Sequence, residues 1–168
     1  YRAELMRHGQ AVGEALAAEG ALERYAVDFI ARRFGDRWDL QAIEVNLRQG
    51  GTTHPYLALS AISGGCLDPA SGLYHSPSGQ QLHYRATDNL TAPELRGLLP
   101  VDLVDIVTEA GLHFDPAKLR GSVFHLLGCL SEYGKLGMTC IGRSAAEAAA
   151  VYAATEAELL RAAQVLGR

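Results

Sequence analysis

The chain has no block of basic residues and no interleaving of aromatic with basic ones, and its net charge is -4. Nucleic acid is therefore not an expected partner. No apolar run approaches the ~18 residues that a membrane span requires, and no secretory leader is visible. Cysteine is scarce. Cys66, Cys129 and Cys140 are odd in number and lack paired CxxC spacing, so the expectation is reduced thiols in a cytoplasm. Internal repeats are also lacking, and the only biased tract is an alanine run near the C-terminus. What is present is ordinary for a globular protein: 168 residues, 48% hydrophobic and 20% charged. That length suits one domain or slightly more, with a real core. The first residue is Tyr1 and a helical pattern follows at once, so the chain reads as the tail of a longer protein.

The periodicities predict an α+β chain. Leu5, Gly9, Val12 and Leu16 share a helical stripe within residues 2 to 19, and Gly20 supplies a stop. Residues 23 to 33 alternate Tyr25, Val27 and Phe29 against Ala26, Asp28 and Ile30, as a half-buried strand does. A turn at Gly35-Asp36 leads to a returning strand over 38 to 48, and a helix follows over 55 to 63 with Pro55 in its first turn. The stretch from Gly64 to Gln81 is rich in Gly, Ser and Pro and reads as loop with a short hairpin. It places a subdomain boundary, with one unit over 1–65 and another over 66–168. In the second unit, "LHYRA" alternates like a strand and Pro100 opens a helix that Gly111 closes. "GSVFHLLGCL" and "GMTCIG" read as strands joined by a turn at Gly134-Lys135. Ser144 and Glu147 form a capping box before the last helix.

The most informative stretch is "EVNLRQGGTTHP", residues 44 to 55. On a strand, Glu44, Asn46 and Arg48 project from one face while Ile43, Val45 and Leu47 take the other. Two side-chain oxygens beside a guanidinium suit a cluster of Mg²⁺ and phosphate, because hard Mg²⁺ takes oxygen ligands and Arg grips phosphate in its planar fork. A solvated strand face is the competing explanation, although Asn is depleted in strands. Asp28 favours the cluster. It interrupts apolar neighbours on the preceding strand, and antiparallel pairing can set it opposite Glu44. In a regular ladder that pairing puts Phe34 opposite Trp38 across a three-residue loop, Gly35 to Arg37. A two-residue loop turns Asp28 against Ile43 and onto the core face.

"YAVDFI", a hairpin and "AIEVNLR" together resemble the end of an ATP-grasp catalytic module, with an Asp followed by a Glu-x-Asn-x-Arg motif. The longer string "IEVNLRQGGTTHPYLAL" resembles the ATP-grasp peptide and amino-acid ligases of the pheganomycin type, including the class that joins unusual amino acids to glutamate. "YRATDNL", "GLHFD" and "GSVFHLLGCLSEYGKLGMTCIG" are similar to the C-terminal domain that follows in those ligases. The resemblance implies two Mg²⁺ ions, bridged by Glu44 and completed by Asn46 and Asp28, with ATP as co-substrate. It implies that Arg48 lies against the acyl phosphate or the γ-phosphate. It also implies that Gly50 and Gly51 let backbone approach the substrate while Thr52, Thr53 and His54 offer donors. A Gly-Gly turn with Thr53 capping the following helix remains the alternative for that loop. The reaction implied is activation of a carboxylate as acyl phosphate, then attack by the amine of an amino acid or peptide. Lysines and a glycine-rich loop of upstream ATP-grasp subdomains would hold the nucleotide, so this piece alone is expected to be inactive.

Other motifs are weaker. Gly128 to Lys135 fails the P-loop template, because five residues separate the glycines and Leu136 replaces Ser/Thr. His125 and Cys129 are four apart, but on a strand such positions lie ~13 Å apart, so His125 reads as a satisfied core histidine. His75, His83 and Lys135 read as surface. A function from a different class also stays open: a non-catalytic binding or dimerisation module, with residues 98 to 166 as the partner surface. In either case the strands over 23 to 48 are expected to expose an edge and to support a homodimer.

Overall fold

The computed structural model describes residues 1–21 and 24–166. Packing divides the chain into two compact units, Tyr1–Thr53 and His54–Arg168. The division falls earlier than the Gly-rich stretch after residue 63, because the helix before that stretch packs on the sheet of the second unit.

The first unit is a helix and a hairpin. Helix α1 (Arg2–Ala18) is followed by the antiparallel strands β1 (Ala26–Phe34) and β2 (Arg37–Asn46). The expected start of β1 at Glu23 lies outside the described residues. Aromatic contacts fix the helix to the hairpin. Tyr25 crosses α1 where two glycines lack side chains: its hydroxyl donates to the Gly9 carbonyl at 2.6 Å, and a Cβ on Gly13 would collide with its ring. Tyr1 packs on Trp38 with ring centroids 4.5 Å apart, and His8 lies near Phe29. Phe29 and Trp38 both belong to the sheet face that carries Ala31, Leu40 and Ala42, so α1 covers that face.

The hairpin turn differs from the expectation. Phe34 pairs with Arg37, so the loop has two residues, with Gly35 at φ +62°. Such a loop suits the right-handed twist of the strands and calls for positive φ. The ladder then runs regularly until Phe29 pairs with Ala42, where the register shifts and Asp28 pairs with Glu44. Ile43 is the additional residue of a β-bulge. The expected three-residue loop is absent, and the bulge supplies the same one-residue offset inside the strand. Strand β2 ends at Asn46 instead of continuing to Arg48, which sits in a bend.

The second unit begins with helix α2 (Thr53–Ser63), whose first residue closes the first unit. Strands β3 (Cys66–Asp68), β4 (Leu73–His75), β5 (Gln81–Thr91), β6 (Gly121–His125) and β7 (Lys135–Gly142) form one antiparallel sheet in the order β3-β4-β5-β7-β6. The short β3–β4 hairpin is the one expected in the Gly-rich stretch, and Asp68 organises its turn by accepting from the N–H groups of Ala70 and Ser71. Helix α3 (Pro100–Glu109) starts at Pro100 as expected, and Gly111 follows it at φ +64°. The long helix α5 (Ala145–Leu166) lies against β5, β6 and β7.

Central strand β7 is buried on both faces, and its alternation sorts the core. Leu136, Met138 and Cys140 join Leu95, Leu98 and Leu103 with Val151 and Leu159 of α5, while Ile141 packs with Leu59 of α2, Tyr74 and Leu82. The connection from β6 to β7 is not the predicted tight turn. A 3₁₀ turn over Leu127–Cys129 and helix α4 (Leu130–Tyr133) intervene, because Leu130 returns fully buried into the core; Gly134 at φ +60° then ends α4. The predicted capping box is present with an offset. Ser144 Oγ accepts from the Glu147 N–H at 3.1 Å, but the Glu147 carboxylate reaches the N–H of Arg143, at 2.7 Å.

A two-stranded sheet has two unpaired edges, and Ile30, Phe34 and Ile43 stand exposed on this one. Such edges recruit other chains. The chain is expected to self-associate at high concentration in sedimentation velocity, and Ile43→Lys on the exposed bulge should shift it toward monomer. A strictly monomeric wild-type chain would contradict this.

Candidate functional site

Because the bulge makes Asp28 and Glu44 direct partners, their side chains leave the sheet on the same side. Asn46, two residues beyond Glu44, shares that side and pairs with Ala26. It is the face opposite the one that α1 covers. Asn46 Nδ2 donates diagonally across the ladder to Asp28 Oδ2 at 3.3 Å. Glu44 has no hydrogen-bond or ion-pair partner among the described residues. Further along this face, Arg32 and Asp39 neutralise each other at 2.8 Å. The structure therefore brings Asp28, Glu44 and Asn46 together as an exposed cluster of two carboxylates and an amide.

The other predicted site residues follow in the chain. Arg48 lies just past the strand, so strand alternation does not set its direction; its Nη1 donates weakly to the Gln49 carbonyl at 3.4 Å, and it meets no carboxylate among the described residues. Gly50 and Gly51 lead into α2. The Thr53 hydroxyl accepts from the Gly50 N–H at 3.0 Å, and the Thr53 N–H donates to the Gly50 carbonyl at 2.9 Å. Thr53 is 5% exposed. Its hydroxyl thus closes the Gly50–Thr53 loop, whereas Thr52 is exposed. A Cβ on Gly50 would meet only Arg48 Nη1, at 3.9 Å. At Gly50 the loop backbone is open to a ligand.

His54 belongs to the second unit. Its ring stacks on that of His125, with centroids 5.4 Å apart and planes inclined by 17°. His125 is half-buried and has no hydrogen bond among the described residues. The satisfied core histidine expected from the sequence is thus a ring held by packing. Cys129, four residues further on, lies in the 3₁₀ turn. The 71-residue separation of the two histidines left no local signal of their contact; it follows from the docking of α2 on the sheet.

The donor set can be tested against Mg²⁺. Among the described residues no three His, Cys, Asp or Glu side chains converge. Two carboxylates and one amide oxygen nevertheless fit a hard cation that takes its remaining ligands from water or phosphate. Asn46 presents nitrogen to Asp28 here, and one rotation about its terminal bond presents oxygen instead. The residues present fit the group.

Residues 102–155, from α3 into α5, match the family model of the PGM1 C-terminal domain. The chain is also 31% identical over 145 residues to the L-propargylglycine--L-glutamate ligase of Streptantibioticus cattleyicolor. That alignment covers 86% of this chain and 29% of the relative, so the chain spans less than a third of the relative's length. No solved structure matches the chain. Among the described residues no helix is long and apolar enough to cross a membrane. In sequence, the chain is a distant homologue of that amino-acid ligase.

Proposed function

We propose that this chain is the C-terminal part of an ATP-dependent ligase that activates a carboxylate as acyl phosphate and joins it to the amine of an amino acid or peptide, releasing ADP and phosphate. The observation that carries the reading is the direct cross-strand pairing of Asp28 with Glu44. Like charges directly opposed destabilise a sheet, so a strand that bulges to create the pair points to a cation. The similarity to a relative named as a ligase of L-propargylglycine and L-glutamate supports the reaction class. On this reading residues 1–65 end the ATP-grasp catalytic module and residues 66–168 form the C-terminal domain.

Glu44 would serve two Mg²⁺ ions, Asn46 completing one shell and Asp28 the other. When bound, the ions neutralise charge on the phosphoryl group passing from ATP to the carboxylate. Arg48, which meets no carboxylate among the described residues, offers its fork to phosphate or acyl-phosphate oxygens. Gly50 and Gly51 admit the substrate close to backbone, with Thr52 and His54 as donors, while Thr53 keeps the loop closed. The nucleotide itself would be held by upstream subdomains.

Two outcomes test the cluster. In the full-length enzyme, Glu44→Gln should reduce ADP formation by more than the roughly 10–100-fold that loss of an outer metal partner costs, with the circular dichroism unchanged. Near-normal turnover at saturating Mg²⁺ would overturn the assignment.

In the metal-free chain the same substitution should leave thermal stability unchanged or raise it, because one of two facing charges is gone. Added Mg²⁺ or Mn²⁺ should raise the melting temperature of the wild type and not of the variant. Marked destabilisation by Glu44→Gln without metal would make Glu44 a structural residue.

A further inference from the structure

The sheet face under α2 carries a second group of titratable side chains, of which the ligase reading uses only His54. His125 ends β6 directly opposite Gly137 of β7. A Cβ on Gly137 would overlap the imidazole, so the ring lies over that glycine and requires its lack of a side chain. On the other side of β7 the ladder is bulged: Thr87 pairs with Met138 and Leu90 with Leu136, so Asp88 and Asn89 of β5 together stand opposite Gly137. His125 therefore points across a gap in the sheet surface, with Asp88 beyond it and His54 stacked on it from α2. Leu126, immediately after His125, holds φ +57°, in the left-handed region that a branched side chain rarely takes. The backbone is strained at the position that aims the ring.

We infer that the His54–His125 stack is a proton-operated latch, closed while the rings share at most one proton and opened by a second, which releases the first turn of α2 from the sheet. Two neutral or singly charged imidazoles stack; two imidazolium rings at this separation repel. His54 is the second residue of α2. Among the described residues, the charged or titratable groups facing His125 are His54 from α2 and Asp88 from β5, while β7 presents only Gly137. Burial first, and then the charge of His54, hold the His125 ring below the ordinary imidazole value, against the opposing pull of Asp88. The sign follows. A base with a depressed folded value stabilises the fold above the unfolded value, about 6.5, and that stability is lost as pH falls through the folded value. Acid opens the latch. Because α2 starts at Thr53, whose hydroxyl holds Gly50, the released turn is the one that closes the Gly50–Thr53 loop.

The test uses the whole chain with labelled histidines, following the imidazole signals and the amide exchange of residues 54–58 from pH 8 down to 5. The wild type should show His125 titrating below an ordinary imidazole, and a rise in α2 exchange as it does. His54→Phe keeps a stacked ring without charge at an exposed position. It should move the His125 titration upward and remove the pH step in exchange. Asp88→Asn should move the titration downward and open α2 at lower pH. Titration of His125 that is unchanged in His54→Phe, or a pH step in α2 that survives in it, would overturn the latch. None of these readouts requires ligase activity, so the latch and the ligase reading stand or fall separately.

Discussion

Two like charges held face to face are the constraint around which the first unit is arranged. A hairpin of two strands has little core to offset a repulsive pair, yet Asp28 and Glu44 are set directly opposite. A regular ladder from the two-residue turn at Gly35-Asp36 would pair Asp28 with Ile43 and separate the acids onto different faces. The bulge at Ile43 prevents this and leaves an isoleucine 60% exposed. The site thus carries two local costs, electrostatic and hydrophobic. Asn46, donating to Asp28, relieves the first only in part. Costs of this kind persist where function requires the arrangement.

The second unit shows the opposite economy. Its polar groups inside the core are largely satisfied among themselves. Ser122 Oγ lies 2.8 Å from Thr155 Oγ1, which donates to the Val151 carbonyl, and Cys140 Sγ approaches the same serine at 3.3 Å. This chain of contacts joins β6, β7 and α5 at the point where sheet and helix meet. Burial pushes the Cys140 thiol up to about 11, so it remains protonated and inert, a packing residue with a weak donor. Thr139 Oγ1 is the exception, buried with no partner among the described residues. Rigidity here contrasts with the exposed, uncompensated charges of the hairpin.

Much of the fold was legible because it rests on alternation and on local terminators. The β1–β2 pair, the Pro100–Gly111 limits of α3 and the Ser144 cap all follow from residue type at fixed spacing. Pairing of Asp28 with Glu44 was legible too, but for the wrong reason: a longer loop was expected where a bulge does the same work. A bulge has no side-chain signature, since Ile43 is as acceptable in a regular strand as in an irregular one. The β6–β7 connection was misread because "HLLGCL" is apolar throughout, and a short apolar run does not distinguish a strand from a buried turn and helix. Local signals likewise made His125 a satisfied core histidine and missed His54, its neighbour in space.

Both polar groups on the two sheets share one device. In each the ladder is irregular beside the group: Ile43 bulges so that Glu44 meets Asp28, and Asn89 is the additional residue that joins Asp88 opposite Gly137. A bulge changes which face a side chain takes without changing the strand's path through the core. The hydrophobic alternation that builds the sheet can then remain intact while a few side chains depart from it. Regular spacing therefore reveals the scaffold, and departures from it accompany the clustered polar groups. The departure is visible only when both strands are read together, because register belongs to the pair and to neither strand alone.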